Sequence, residues 1–191
     1  HEMRENPLRA TGSGVNEYND RMPDASPGAE ARRQITDTEF LVRLDAADMA
    51  GASESERLSA ELLRFVLKHR VALAPFREWR MPILSDSGFH TELTYVVDST
   101  PFRTVDDYEA YLSRLRALPR FIEQNIENMR AGLADGFTQP KVILPGILTS
   151  FDAQAAGSAD ESPLYAPFTR IPASIPARTR RRLAQVGRRR P

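Results

Sequence analysis

The sequence contains no cysteine. That excludes a disulfide framework, a thiolate zinc site, an iron–sulfur cluster and a cysteine nucleophile. It also lacks any run of about 18 apolar residues, the length that a membrane-spanning helix needs. Its longest uncharged apolar stretch, Val142 to Phe151, is broken by Pro145 and Gly146. Histidine is scarce, and His1, His69 and His90 lie far apart. A zinc-peptidase helix needs H-E-x-x-H, with two histidines on one face to hold the metal and the glutamate as base. His1-Glu2 is followed by Met3-Arg4-Glu5, and His90-Thr91-Glu92 has no second histidine nearby, so no metal ligand and no cofactor is expected within this chain. The G-x-S-x-G nucleophile elbow is missing as well. Ser13 between Gly12 and Gly14, and Ser87 before Gly88, read as turn residues, and Gly12-Ser13-Gly14 lacks the Lys-Ser/Thr ending of a phosphate loop.

Lysine is nearly absent: 24 of the 26 basic residues are arginine, which reads as a GC-rich coding bias rather than as chemistry. The 191 residues make one ordinary domain or most of one, and 41% hydrophobic with 27% charged is an ordinary soluble composition. The net charge of zero hides a polarity. Residues 1–177 hold 19 basic against 26 acidic side chains, a balance of −7, whereas 178–191 hold seven arginines and no acid. A basic terminal block can act as a nucleic-acid or anionic-surface arm. No aromatic residue interleaves these arginines, so no base-stacking platform accompanies them. The simpler expectation is a non-native or disordered Arg-rich tail, with nucleic acid not the expected partner. The chain opens on His1 rather than Met, so a removed leader or missing upstream coding is expected, with export open in the first case.

The pattern of apolar residues predicts helices. Residues 1–28, with Pro7, Gly12, Gly14, Pro23, Pro27 and Gly28, form a loop-rich segment with one short helix. Glu30 to Met49 carries Ile35, Leu41, Val42, Leu44 and Met49 on one face. Ser53-Glu54-Ser55-Glu56 is a capping box for a helix that places Leu58, Leu62, Phe65, Val66 and Leu73 on one side and ends before Pro75. Trp79 to Pro101 reads as a long loop with a short extended piece near Glu92 to Val97; such a loop inside a compact domain is expected to line a ligand site. Val105, Tyr108, Leu112, Leu115, Leu118, Ile122, Ile126, Met129 and Leu133 define an amphipathic helix, which Pro119 is expected to kink or split. Asp106 and Asp107 sit in its first turn, where the helix dipole favours them; no acid–base role follows. Thr138 and Pro140 open a further helix whose apolar face is Val142, Ile143, Ile147, Leu148 and Phe151. Ala153 to Ser162 is a small-residue loop, Leu164 to Pro176 is irregular, and Ala177 to Val186 can begin another helix. The fold class expected is all-α, an irregular multi-helix array with long Pro/Gly-containing loops.

Several stretches carry a resemblance: Ser85-Asp86-Ser87-Gly88-Phe89-His90, then Pro101 to Tyr111, Arg114-Leu115-Arg116-Ala117-Leu118-Pro119-Arg120, Gly136 to Pro140, Ser162 to Tyr165 and Ile171 to Pro176, with a looser match from Asn6-Pro7 to Pro23-Asp24. In order and spacing they resemble the bacterial domain-of-unknown-function 885 family over about residues 6–177, and the resemblance fades where the Arg-rich tail begins. It implies a helical fold similar to the amino-terminal part of gluzincin-type peptidases. The family's H-E-x-x-H and downstream Glu ligand lie beyond the matched region, so no catalytic residue carries over. The expected organisation is a loop-rich segment 1–28, a helical family region 29–177 and the tail 178–191. The expected function is an amino-terminal fragment of a zinc metallopeptidase-like hydrolase, inactive alone. Zinc and a peptide substrate belong to the full-length relative, and the missing carboxy-terminal catalytic part is the expected partner. The alternative is a stand-alone helical interaction module whose basic tail contacts nucleic acid or an acidic partner. Ser87, Gly88 and His90 are the candidate wall of a substrate groove: Gly88 permits close backbone approach, and His90 can hydrogen-bond a peptide and titrate near neutral pH. If fragmentation leaves a helix face bare, the stripe from Val105 to Leu133 is the first to suspect.

Overall fold

The structure is a computed structural model that describes residues 1–188 apart from 86 and 156; the side chains of 153–155 and 159 also lie outside the described set. The described residues are all-α, and the only β feature among them is an isolated antiparallel bridge between Ile83 and Gly88. The helices are α1 (Glu2–Glu5), α2 (Pro7–Gly12), α3 (Pro27–Asp45), α4 (Glu54–Leu73), α5 (Phe89–Val97), α6 (Val105–Ala134), α7 (Leu144–Ala155), α8 (Ala166–Thr169) and α9 (Ala177–Gly187).

The helix starts follow local chemistry. Ser26 Oγ accepts from the Ala29 N–H, with Pro27 in the first turn of α3. At α4 the Glu56 N–H donates to Ser53 Oγ and the Ser53 N–H to Glu56 Oε2 (3.3 and 2.8 Å). Thr104 and Asp107 repeat this reciprocal arrangement at α6. Each such cap is worth about 1 kcal/mol. α3 and α4 form an antiparallel hairpin: Arg64 pairs with Asp45 at 2.7 Å and Arg70 with Asp37 at 3.6 Å, so the partner number falls as the α4 number rises.

α6 organises the rest. Around its first half, Tyr108, Tyr111 and Leu112 pack with Tyr165, Phe168 and Ile175 and with Leu183 of α9. Around its second half, Phe121 packs with Ile83, Phe89 and Ile147. It runs unbroken through Pro119. The stripe from Val105 to Leu133 is mostly covered and only Leu133 is exposed. The bare apolar face lies elsewhere, on Leu58, Leu62, Phe65 and Val66 of α4 and Ile35 and Val42 of α3.

Two further expectations change. Phe89–Val97 is a helix, not part of a loop. Burial of Phe89 and Leu93, one turn apart, overrides the weak helix preference of its Thr and Val residues. Residues 177–187 form the helix expected to begin there, and it is docked on the body rather than a detached tail. Leu183 is fully buried, Arg182 pairs with Glu109, and Arg188 reaches Asp160 and the Tyr165 hydroxyl at 3.1 Å each. Positions 189–191 of the expected tail lie outside the described residues.

The amino-terminal segment is held by polar side chains of α6. Arg114 is 0% exposed. Its Nε donates to the Arg21 carbonyl (3.1 Å), and one terminal nitrogen lies within reach of the Tyr18 carbonyl (2.9 Å), Thr11 Oγ1 (3.0 Å), Asn19 Oδ1 (3.4 Å) and the Pro7 carbonyl (3.5 Å). Burial lowers its pKa to about 10, with Tyr111 and Asp20 opposing. Further along, Gln124 accepts from the Ala25 N–H and donates to Asp24, and Asn128 donates to the Ala25 carbonyl. Arg114→Met leaves these buried acceptors bare and is expected to cost about 3 kcal/mol or more in urea unfolding. Arg114→Lys, which lacks the planar fork, should rescue little. An unchanged midpoint for Arg114→Met would contradict this role.

Candidate functional site

A cleft of about 560 Å³ lies between the α3–α4 hairpin, the α1–α2 segment and the α5–α6 body. That volume is in the range of small-molecule sites. Its apolar side is Leu73, Trp79, Pro82, Phe89 and Phe121. The Phe89 and Phe121 rings meet edge to face, centroids 6.3 Å apart.

Charge lines the other side, and most of it is paired. Arg33 holds Glu30 at 2.6 Å and Glu5 at 3.5 Å. Arg70 bridges Glu2 (3.0 Å) and Asp37 (3.6 Å), and Arg9 also binds Glu2 (2.5 Å). Burial raises the Asp37 carboxyl despite Arg70. Glu92, on α5, has no ion pair or hydrogen bond among the described residues. It remains accessible to water at its surface, yet the cleft walls strip away surrounding bulk solvent and push its carboxyl up.

Ser87, Gly88 and His90 do not line this cleft. The Ser87 carbonyl accepts from the Leu84 N–H, and the Phe89 N–H donates to the Pro82 carbonyl, so residues 82–89 close as a tight turn; position 86 lies outside the described residues. Close approach does explain Gly88. A Cβ there would lie 2.8 Å from the Pro82 carbonyl oxygen and 3.1 Å from the Ile83 Cα, so the approach is to the chain's own backbone. His90 packs against α7, stacked on Phe151 at 4.1 Å, with Nε2 3.0 Å from Ser150 Oγ. Its Nδ1 is buried without a partner among the described residues. Burial lowers its pKa.

The other histidines are also placed by ring contacts, His69 on Phe65 and His1 on Phe40. No group of three or more His, Asp or Glu residues positioned to hold a metal occurs among the described residues, so these side chains do not fit a zinc site. No described helix is long and apolar enough to cross a membrane. The sequence signal for the true cleft was partial. Trp79, Pro82, Phe89 and Glu92 come from the Trp79–Pro101 segment expected to line a ligand site, whereas Arg33 and Arg70 come from the hairpin and each alone reads as a surface residue.

A family model described as "Bacterial protein of unknown function (DUF885)" matches residues 7–190. The match continues through the Arg-rich segment, so the fading of the resemblance after Ala177 does not hold. No curated protein matches the chain.

Two outcomes follow from the His90 turn. Gly88→Ala should destabilise by about 1–3 kcal/mol through backbone overlap, whereas Gly12→Ala, which meets nothing within 4 Å, should not; equal midpoints would contradict the packing. The neutral ring of His90 contributes stability that is complete above the ordinary histidine value and is lost as pH falls through it toward the lowered folded value, because the unfolded chain takes up the proton first. Between about pH 7 and pH 5, the wild type should therefore lose more stability than His90→Gln. Parallel losses would show that His90 does not titrate this way.

Proposed function

We propose a function from the premise that this chain belongs to the DUF885 family: it is the amino-terminal helical part of a zinc metallopeptidase-like hydrolase, supplying a wall of the substrate groove and inactive by itself. The observation that carries the proposal is the bare apolar face of the α3–α4 hairpin. Phe65 is 70%, Val42 63% and Leu62 59% exposed, and exposed apolar residues that group into a patch mark a surface that another body covers. In a larger hydrolase that body is the catalytic part bearing H-E-x-x-H, and its peptide substrate runs beside the helices described here. The resemblance in motif order and spacing supports the hydrolase class. The cleft, open between hairpin and body, supports a groove-forming role.

The test is direct. The chain alone should hydrolyse no peptide in a broad peptide library and should bind zinc far below stoichiometry by elemental analysis. In light scattering it should self-associate through the bare face, and Phe65→Glu with Leu62→Lys should reduce that association. Peptidase activity with stoichiometric zinc in this chain, or a monodisperse monomer, would overturn the proposal.

A further inference from the structure

We propose that the cleft between the α3–α4 hairpin and α5–α6 is a binding site for a primary ammonium group carried on an aromatic or aliphatic stem, with Glu92 as its counter-ion. The argument begins with charge pairing. Arg9, Arg33 and Arg70 on the cleft wall are each engaged by a carboxylate within 3.0 Å, and Arg70 and Arg33 each reach a second one. An incoming anion would have to break these pairs or turn to Arg77, which reaches Asp135 only at 4.0 Å and shares it with Arg80. Glu92 is left with no cation among the described residues, although it faces the same hollow. It is accessible, so a ligand can reach it without movement of the fold.

The setting of Glu92 selects the rest of the ligand. Phe89 lies three residues before it on α5 and meets Phe121 edge to face, and Trp79, with the Arg80 guanidinium over its ring, also lines the hollow. A carboxylate in a cleft also lined by aromatic and aliphatic side chains suits an organic cation: the ammonium pairs with the carboxylate, and the stem covers apolar surface. A small hydrated metal ion would gain nothing from the rings, and a lone carboxylate gives it too few oxygens. This inference does not rest on the hydrolase reading, because it concerns binding by this chain's own side chains.

Trp79 is the only tryptophan in the sequence and lines the cleft, so its fluorescence reports occupancy. The probe is 2-phenylethylamine, titrated into the full chain beside 3-phenylpropionate, which keeps the stem and reverses the charge. The amine should give a saturable change in Trp79 emission and the carboxylate a response at least about tenfold weaker, as expected for losing one charge-assisted hydrogen bond. Glu92→Gln should weaken amine binding by a similar factor. It should leave the unfolding midpoint equal or higher, because it removes a carboxylate whose ionisation the cleft disfavours. Equal responses to amine and carboxylate, undiminished binding by a folded Glu92→Gln, or no saturable response to the amine would each overturn the assignment. The comparison of the two probes on the wild type decides the matter even if the variant fails to fold.

Discussion

The course of the amino-terminal segment, and with it one side of the cleft, depends on one buried cation with no carboxylate partner among the described residues. Arg114 sits in the middle of α6, fully enclosed, and Nε and one terminal nitrogen of its guanidinium are solvated by carbonyl, hydroxyl and amide oxygens drawn from residues 7–21, while the other terminal nitrogen is buried without a partner among the described residues. Burying that charge requires oxygens close to its donors. That requirement fixes the path of the amino-terminal segment over α6. The segment in turn places Glu2, Glu5 and Arg9 on one side of the cleft and positions Asp24 and Ala25 for Gln124 and Asn128. The looser family stretch at residues 6–24 and the one at residues 114–120 are thus two sides of a single contact.

The molecule divides by what covers its apolar surface. Around α6, aromatic side chains from α5, α8 and the segments between close two cores, and α9 seals one of them with Leu183. The α3–α4 hairpin is joined to that body largely through ion pairs and the cleft, and although Leu67 is buried, Leu58, Leu62, Phe65, Val66, Ile35 and Val42 are exposed. Exposed ion pairs contribute about 1 kcal/mol or less each, so the hairpin is held far less firmly than α6. This asymmetry connects the open cleft, the bare hairpin face and the proposed place of the chain within a larger hydrolase.

Much of the helical frame was legible in the sequence. The capping boxes at Ser53 and Thr104 and the periodicity from Val105 to Leu133 mark local events that need no tertiary information. α5 was not legible, because Thr91, Thr94, Val96 and Val97 favour extended backbone until Phe89 and Leu93 are buried. The polar side of α6 was hidden for a related reason. Arg114, Gln124 and Asn128 look like a solvated face until residues some hundred positions earlier fold over them. The Arg-rich end misled because composition says nothing of Leu183, whose burial helps seat its helix. Of the candidate groove, Gly88 was rightly singled out for close approach, yet that approach serves a turn. The cleft itself joins side chains from elements far apart in the chain, and no spacing in the sequence announces it.

The most direct measurement of this account is native-state hydrogen exchange on the chain alone, resolved to individual helices. The amides of α6 and of α2, tied through Arg114, are predicted to exchange together as the slowest group, with those of α4 faster by about 100-fold or more because the hairpin opens without unfolding the body. Protection of α4 equal to that of α6 would contradict the account. It would mean that the hairpin is an integral part of the body and that its bare face requires no covering partner.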